Sequence, residues 1–256
     1  MDYKKYHTDF DWSRYSDKNI ENKAKAFISM IPEDVNTILD VGCGNGLITN
    51  QLVGKYDVTG LDISEPALRY VKTKKVCASA SAIPFADKEF DLVLSSQLLE
   101  HLNEKQFFDT LSEINRVARK YILISVPNRE HIERDFIQCT QCGHVYNINH
   151  HFRSLDVDVF MENLPGFKLV FHTTGGVKVK PSFRWLTRMK HRFIPSKSWI
   201  PPYWTKKRSR FNTCPKCGNH FRIPFKPNPL TTFYDGLTWL FSPAQPYWLF
   251  VFFERK

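Results

Sequence analysis

The sequence predicts an open α/β sheet, and three patterns in its first half carry that prediction. An apolar stretch at 38–41 runs into a glycine-rich turn at 42–46. Two further apolar stretches, at 58–62 and 90–96, are each followed by a helical pattern. A buried strand that leads through glycines into a helix presents its backbone to a nucleoside cofactor, because glycine lacks a Cβ. Strands that alternate with helices indicate a mostly parallel sheet.

The remaining elements follow from capping residues and periodicity. A helix is predicted over 49–56, after the turn. Ser64 is the expected N-cap of the next helix, with Pro66 just inside it, and Asn103 is the expected N-cap of a helix over 105–120. Further strands are predicted over 76–80, 121–126, 167–173 and 247–254, and one more helix over 154–164.

Residues 1–37 are expected to form an N-terminal helical cap. Asp17 is the expected N-cap of a helix over 18–30, and a series of aromatic residues precedes it. Two interpretations stay open: an amphipathic helix that covers the sheet, or a lid over the cofactor. The aromatic residues concerned are Tyr3, Tyr6, Phe10, Trp12 and Tyr15.

Charge is distributed unevenly along the 256 residues, which carry a net charge of +10. Of 36 basic and 26 acidic residues, 15 basic and no acidic ones lie between residues 163 and 234. Hydrophobic residues make up 42% of the chain, enough for one large core. No apolar stretch is long enough to span a bilayer, and no secretory leader is apparent. We therefore expect a cytoplasmic protein whose acidic core carries a basic segment.

Five motifs together resemble the class I S-adenosylmethionine-dependent methyltransferases, in particular the type 11 group. The resemblance implies a Rossmann-like seven-stranded methyltransferase sheet with helices on both faces. A nicotinamide dehydrogenase is the rival, but its fingerprint needs a glycine where this chain has Leu47. The motifs are Leu39-Asp40-Val41-Gly42-Cys43-Gly44-Asn45-Gly46, Leu61-Asp62-Ile63-Ser64, Ile83-Pro84-Phe85, Phe90-Asp91-Leu92-Val93 and Leu99-Glu100-His101-Leu102.

The resemblance also implies a cofactor site. Asp40 would help to hold the ammonium group of S-adenosylmethionine, and the turn at 42–46 would face its methionyl part. Asp62 would accept both ribose hydroxyls, a role that its place 20 residues after Gly42 also indicates. Ser79 stands where the family often has an acid that contacts the adenine. The complete expected set is Asp40, Gly42, Cys43, Gly44, Gly46, Asp62, Ile63, Ser79, Ala80, Ser95, Ser96 and Gln97, the last three at the sulfonium end.

The sequence assigns no catalytic base. Methyl transfer is a displacement that depends on alignment and exclusion of water, and the need for a base depends on the acceptor. Glu100, His101 and His151 are candidates. His101 lies in a turn typical of the family, which favours a structural role for it. His150 and His172 have no spacing that would select them.

Two matching Cys-x-x-Cys-Gly motifs predict a four-cysteine, structural zinc site in a zinc-ribbon-like insertion module. Cys139 and Cys142 form the first motif and Cys214 and Cys217 the second, with 71 residues between Cys142 and Cys214. Four thiolates make a closed tetrahedral site. Independent redox pairs or surface thiols are the alternative, although neither motif has the helix context of a redox site. Because both insertions should leave the carboxyl edge of the sheet, zinc could clamp a lid over the acceptor pocket.

The predicted organisation has six segments. They are an N-terminal cap or lid at 1–37, a cofactor-binding core at 38–126, a first insertion at 127–153, a core helix and strand at 154–176, a second insertion at 177–245 and a final core strand at 246–256.

The second insertion interleaves basic and aromatic residues. The mixture suits an anionic membrane at the inner face of a cell, and it suits RNA less well because further apolar residues follow. In a third interpretation the aromatic residues pack the zinc module and the basic ones coat it. The residues are Lys178, Lys180, Phe183, Arg184, Trp185, Arg188, Lys190, Arg192, Phe193, Trp199, Tyr203, Trp204, Lys206, Lys207, Arg208 and Arg210.

These features predict a methyltransferase that acts on a small-molecule, lipid-linked or saccharide acceptor. An RNA methyltransferase that grips its substrate with the basic insertion is the first alternative. A cofactor-binding or scaffold protein without activity is the second, and Ser79 in place of an acid permits it. The acceptor atom and the oligomeric state stay open.

Overall fold

The computed structural model describes residue 12 and residues 20–180, 183–199, 211–224, 226 and 228–256. The chain divides into two compact units. We call the first the α/β unit; it comprises His7–Asn128, Leu155–Val177 and Pro246–Lys256. The second, the insertion unit, comprises Met1–Tyr6, Arg129–Ser154 and Lys178–Gln245.

Eleven strands lie within the described residues. Seven of them form one sheet in the α/β unit, and the other four form two hairpins in the insertion unit. In chain order they are β1 Thr37–Val41, β2 Asp57–Asp62, β3 Lys74–Cys77, β4 Phe90–Ser96, β5 Ala118–Pro127, β6 Phe136–Gln138, β7 Val145–Asn147, β8 Phe167–Val179, β9 Phe211–Thr213, β10 His220–Arg222 and β11 Gln245–Arg255.

The large sheet has the order β3-β2-β1-β4-β5-β11-β8. Strands β1 to β5 pair in parallel, and β11 pairs with β5 in the antiparallel direction. The strand order reverses between β1 and β4, which is where open α/β sheets bind their ligands, at the carboxyl ends of the strands. The predicted α/β sheet of seven strands is confirmed.

The helices within the described residues connect these strands. They are α1 Ile20–Met30, α2 Thr49–Leu52, α3 Glu65–Leu68, α4 Glu104–Val117, α5 Val157–Asn163, α6 Arg184–Phe193 and α7 Pro229–Phe241, with 3-10 turns at Leu99–His101, Ile132–Asp135 and Ser196–Ser198. The hydroxyl of Ser64 caps α3, and Asn103 with Gln106 forms a complete capping box on α4. Both predicted N-caps are therefore confirmed.

Several predicted element ends are wrong. The helix expected over 49–56 ends at Leu52, because Val53 is extended and Gly54 has a φ of +87°. The helix expected over 105–120 ends at Val117, since the next residues already belong to β5. The helix expected from residue 154 begins at Val157, because Asp156 is its N-cap.

Strand ends differ as well. The third strand occupies Lys74–Cys77 rather than 76–80, β8 continues to Val179 instead of ending at 173, and β5 and β11 are each longer than expected at both ends. Asp17 and Lys18, the predicted start of the first helix, lie outside the described residues.

The sheet is buried on both faces. On one face α4 contributes Phe107, Leu111 and Ile114, all 1% exposed or less. On the other face Phe27 of α1 contacts Phe250 of β11, with ring centroids 5.3 Å apart. Helix α1 therefore covers one face of the sheet, and the choice between a cap and a lid for the whole segment stays a prediction.

Within its described residues, the insertion unit has two hairpins and two α-helices. Strand β6 pairs with β7, and β9 pairs with β10. Helices α6 and α7 are joined by an ion pair between the Nζ of Lys190 and Oδ1 of Asp235, at 3.1 Å. Across the described stretches, every helix is too short or too polar to cross a membrane.

Candidate functional site

The glycine-rich turn follows β1 directly. Gly42 and Cys43 both donate N–H hydrogen bonds to the carbonyl of Leu61, at 2.7 and 3.0 Å, which ties the turn to β2. Gly42 has a φ of +76°, and a Cβ built there would lie 2.8 Å from Cδ2 of Leu98. A side chain at position 42 would strain the backbone and displace Leu98, so this position requires glycine.

Trp12 lies against the same turn. A Cβ built on Gly44 would be 3.1 Å from Cζ3 of the Trp12 ring. The side-chain amide of Asn45 donates a 3.3 Å hydrogen bond to the Trp12 carbonyl. The sequence placed Trp12 in the N-terminal cap but gave no reason to single it out, because its contact with the turn depends on the tertiary fold.

Asp40 is the last residue but one of β1 and is 3% exposed. The hydroxyl of Thr49 donates a hydrogen bond of 2.6 Å to its Oδ2. Burial, together with the nearby charge of Asp62, raises the pKa of Asp40 to about 7, although Lys23 and the Thr49 hydroxyl act in the opposite direction. The carboxyl therefore changes its charge near neutral pH.

Asp62 ends β2 and reaches back to the turn. Its Oδ2 accepts the N–H of Gly44 at 2.8 Å, and its Oδ1 accepts the N–H of Ser64 at 2.8 Å. Burial raises the pKa of Asp62, and these N–H groups oppose that rise. Each carboxylate oxygen can accept more than one hydrogen bond, so the side chain has capacity for two ligand hydroxyls besides its structural contacts.

The residues expected around the adenine lie after β2 and β3. Ile63 is half-buried, and its carbonyl lies 3.7 Å from the Sγ of Cys77. Ser79 and Ser81 share a hydroxyl–hydroxyl hydrogen bond of 2.8 Å. Ala80 is half-buried against the main core cluster. Ser79 thus presents a hydroxyl, rather than a carboxylate, beside β3.

The residues expected at the sulfonium end close β4. The hydroxyl of Ser95 is buried and donates to the Val41 carbonyl at 3.2 Å. Ser96 is half-buried. Gln97 has a φ of +56°, which is strained for a residue with a side chain, and its N–H donates to the Ser125 carbonyl at 2.9 Å. Strain of this kind concentrates at functional positions of a fold.

The three candidate bases are divided between the two units, Glu100 and His101 in the α/β unit and His151 in the insertion unit. Glu100 is buried and His101 is half-buried, both in the 3-10 turn after β4. His151 belongs to the insertion unit, where its Nδ1 makes a short ion-pair contact with Glu130. His150 has a φ of +60°, and His172 is exposed on β8. All of them stay predictions, and their burial selects no single base.

The four paired cysteines form a compact cluster in the insertion unit. The Sγ atoms of Cys139 and Cys217 are 3.7 Å apart, those of Cys142 and Cys214 are 3.6 Å apart, and all four lie within 4.8 Å of one another. These distances are too long for disulfide bonds of about 2 Å. They are close to the sulfur–sulfur separation of roughly 3.8 Å in a tetrahedron with metal–sulfur bonds of about 2.3 Å. The cluster could hold one metal ion.

The two motifs have the same local geometry. In each, the glycine N–H donates to the carbonyl of the first cysteine, Gly143 to Cys139 at 3.1 Å and Gly218 to Cys214 at 2.9 Å. Both glycines have positive φ, 70° and 75°. Burial raises the pKa of Cys139, but backbone N–H donors, among them that of Gln141, outweigh it and lower the pKa to about 6. Burial and the neighbouring thiols raise the pKa of Cys214 and of Cys217, so the first negative charge of the metal-free cluster lies on Cys139.

Comparison with known proteins finds a similarity around the glycine-rich turn. Residues 39–123 match the family model described as a methyltransferase domain. The match covers less than half of the chain and lies within the α/β unit, from Leu39, the third residue of β1, through the turn, Asp62 and α4 into β5.

Curated relatives match only part of their length. An uncharacterised protein of Methanocaldococcus jannaschii is 33% identical over 138 residues, which are 52% of this chain and 56% of that protein. A malonyl-[acyl-carrier protein] O-methyltransferase of Coxiella burnetii is 34% identical over 85 residues, 32% of this chain and 29% of the relative. A ubiquinone biosynthesis O-methyltransferase of Sinorhizobium fredii is 31% identical over 83 residues, 28% of this chain and 34% of the relative. The chain thus spans about half or less of the length of these relatives.

Solved structures share the fold. A putative methyltransferase of Bacillus halodurans aligns with a TM-score of 0.55 and 15% identity, over 92% of this chain and 99% of that one. A SAM-dependent methyltransferase of Archaeoglobus fulgidus aligns with a TM-score of 0.53 and 18% identity, over 94% and 96%. At these sequence identities the structural similarity shows a shared fold only.

Proposed function

We propose that the protein transfers the methyl group of S-adenosylmethionine to a small-molecule acceptor. The observation that carries the proposal is the arrangement of Asp40, the turn at 42–46 and Asp62 within a matched methyltransferase domain. The N–H contact between Gly44 and Asp62 holds the turn and the second carboxylate together. Two acids beside a glycine-rich backbone suit a ligand that carries an ammonium group and ribose hydroxyls.

The residues present fit this cofactor. The carboxylate of Asp40 would hold the ammonium group, since it is buried and oriented by Thr49. The oxygens of Asp62 would accept the ribose hydroxyls, and Ser79 and Ala80 would lie towards the adenine. When bound, the sulfonium supplies an electrophilic methyl group. The chain's contribution is to orient the two reactants and exclude water, which can supply most of the rate enhancement.

The acceptor class follows from relatives rather than from a pocket. The named curated relatives include enzymes of malonyl-[acyl-carrier protein] and of ubiquinone biosynthesis, and an ajmaline N-methyltransferase of Rauvolfia serpentina. These names support a small-molecule acceptor. Because two of them name an acyl-carrier protein and ubiquinone, the proposal extends to lipid-linked acceptors. A saccharide acceptor has the same requirement for alignment and stays within the proposal.

Isothermal titration of the full chain with S-adenosylmethionine tests the cofactor proposal. Asp62→Asn removes the charge but keeps one acceptor oxygen, so we expect affinity to fall by about ten-fold or more. Asp57→Asn is the matched control, because Asp57 starts the same strand and is exposed. Binding by the wild-type chain with no transfer of labelled methyl groups to any component of a cell extract would favour a cofactor-binding protein without activity. No heat from a folded chain would contradict the proposal.

We propose also that the four cysteines bind one structural zinc ion. A tetrahedral set of four thiolates with no open position is the usual structural zinc site. Support comes from the sulfur separations of 3.6 and 3.7 Å and from the paired hairpin geometry of the two motifs. The hairpins have only a small core of their own, centred on Ile137, Tyr146 and Phe221. Metal binding would therefore contribute much of their stability.

Metal analysis tests the zinc proposal. Purified protein should contain one zinc per chain, and Cys217→Ser should lower the content well below one, because three thiolates hold the ion far less tightly. Cys77→Ser is the matched control, since Cys77 is an exposed cysteine of the α/β unit. Full zinc content in the Cys217 variant, or none in the wild-type chain after expression with zinc, would refute the site.

A further inference from the structure

Helix α7 of the insertion unit turns its apolar residues outward. Phe233, Trp239 and Phe241 are 61%, 68% and 64% exposed, and Leu230 and Leu240 are exposed to a similar extent. The buried side of the same helix carries Thr231, Asp235 and Thr238. A helix on the surface of a globular protein normally does the reverse, because burying the apolar side is what holds it in place.

Helix α6 exposes a second apolar stripe. Trp185, Met189 and Phe193 are spaced four residues apart, which places them on one side of the helix, and Trp185 and Phe193 are 61% and 68% exposed. An exposed arginine directly precedes each of them in the chain: Arg184, Arg188 and Arg192. The apolar stripe and a stripe of arginines therefore run side by side along α6.

The charges on the inner side of these helices are paired. Lys190, 3% exposed, forms its ion pair with Asp235 of α7, and burial lowers the pKa of Lys190 and raises that of Asp235. Lys190 is therefore not part of the exposed basic surface, although the sequence analysis counted it among the interleaved basic residues. Trp199 is also buried, and its Nε1 donates to the Ile194 carbonyl at 2.8 Å. Tyr203, Trp204 and the basic run that follows lie outside the described residues.

The outer charges are almost all positive. Arg184, Arg192 and Lys197 are exposed, and Lys180 lies over the Trp239 ring, 4.5 Å from its centroid. One acid, Glu133, lies 4.0 Å from Arg188. No acidic residue occurs in the sequence between 163 and 234. The outward rings of α6 thus lie beside arginines of the same helix, and α7, which has no basic residue of its own, has Lys180 over its Trp239 ring.

We propose that the exposed faces of α6 and α7 dock on the surface of an anionic membrane. Aromatic and aliphatic side chains enter the boundary between headgroups and acyl chains, while the arginines contact anionic headgroups. Helix α7 has 13 residues and is about 20 Å long, shorter than a hydrocarbon core of about 30 Å. The helices therefore lie along the surface of the bilayer and do not span it.

Two other occupants fit the faces less well. A second copy of the chain would bring arginines against arginines, and like charges oppose association. RNA would accept the cations and the rings, but Met189, Leu230 and Leu240 offer no aromatic plane for a base to stack on. An acyl-chain boundary accommodates all of these side chains.

Co-sedimentation of the full chain with vesicles tests the proposal. We expect binding to phosphatidylcholine vesicles that contain about 30% phosphatidylglycerol, with a salt-sensitive part from the arginines and a salt-resistant part from the apolar side chains. Pure phosphatidylcholine vesicles should retain only the weaker, salt-resistant part.

Two pairs of variants separate these contributions. Phe233→Ser with Phe241→Ser should lower the partition coefficient about ten-fold or more at every salt concentration, and Phe108→Ser, an exposed ring of the α/β unit, should not. Arg188→Glu with Arg192→Glu should lower it by at least about five-fold for each residue at low salt only. Lys55→Glu with Lys72→Glu makes the same charge change on exposed residues of the α/β unit and should have little effect.

Three results would overturn the proposal. One is the absence of binding to either vesicle. Another is wild-type binding by the Phe233 and Phe241 variant, once circular dichroism has shown that it is folded. The third is a dimer in light scattering that this variant disrupts, because a second copy would then cover the faces.

Discussion

The hydroxyl of Thr49 donates a hydrogen bond of 2.6 Å to Oδ2 of Asp40, and both side chains are buried beside the glycine-rich turn. The bond orients a carboxyl group whose pKa burial raises to about 7. Because only the ionised form can pair with an ammonium group, we expect the affinity for S-adenosylmethionine to rise between about pH 6 and pH 8. Calorimetry at several pH values measures this rise. An affinity that does not change over this range would contradict the role assigned to Asp40.

The same pKa shift predicts how Asp40→Asn changes stability. Since the folded-state pKa lies above the usual value of 3.8, the folded chain binds the extra proton between about pH 4 and pH 7, and stability falls as the pH rises through this window. Without ligand, Asp40→Asn should therefore raise the melting temperature at about pH 8 and have much less effect near pH 4. Equal effects of Asp40→Asn at both pH values would disagree with a buried, ionisable carboxyl.

Gly42 and Gly54 both have positive φ, so alanine substitutions at the two positions can be compared directly. Gly54 has a φ of +87° with no atom within 4 Å of a built Cβ, so Gly54→Ala should cost only the backbone strain of about 1–2 kcal/mol. Gly42→Ala should cost more, since its Cβ would also collide with Leu98 at 2.8 Å. It should in addition weaken cofactor binding by about ten-fold. Denaturant titration and calorimetry give the two comparisons, and equal losses of stability would argue against a tight turn.

Arg116 holds the turn after β3 to helix α4. Its guanidinium donates to the carbonyls of Ile83 and Phe85 at 2.9 and 2.7 Å, while Glu113 pairs with Arg116 and accepts the Ile83 N–H at 2.6 Å. The hydrogen bonds from Arg116 hold the pKa of Glu113 below 4.5. The stabilisation is thus present at neutral pH and is lost as the pH falls through the lowered pKa. Glu113→Gln should cost about 1 kcal/mol in urea unfolding near pH 7, and distinctly less near pH 3.

Adjacent phenylalanines on α4 test the position of the core. Phe107 is 1% exposed and belongs to the main cluster, whereas Phe108 is 46% exposed. Phe107→Ala should cost about 3–5 kcal/mol of unfolding free energy through the cavity it leaves. Phe108→Ala should change it by about 0.5 kcal/mol or less. A reversed order would mean that the helix packs through a different side.

Local patterns were sufficient for much of the α/β unit. The apolar stretches before the turn and after Phe90 predict strands that the structure contains, and Ser64 and Asn103 are N-caps because their side chains bond backbone within three residues. Element ends were predicted less well. The end of α2 depends on a positive φ at Gly54, and the end of α4 depends on β5 beginning at Ala118. Pairing with a distant strand decides such ends, and local propensity does not include it.

By itself, the sequence determined the class of sheet, the order of the motifs and the two cysteine pairs, because each depends on residues close together in the chain. The tertiary structure decided which side chains are buried. It buries Lys190 beside Asp235, 45 residues away, and it exposes the rings of α7 while Thr231 and Thr238 face inward. It brings the sulfurs of Cys142 and Cys214 to 3.6 Å across 72 residues. Burial and long-range contacts depend on how the helices and strands pack against each other, and this packing involves residues far apart in the chain.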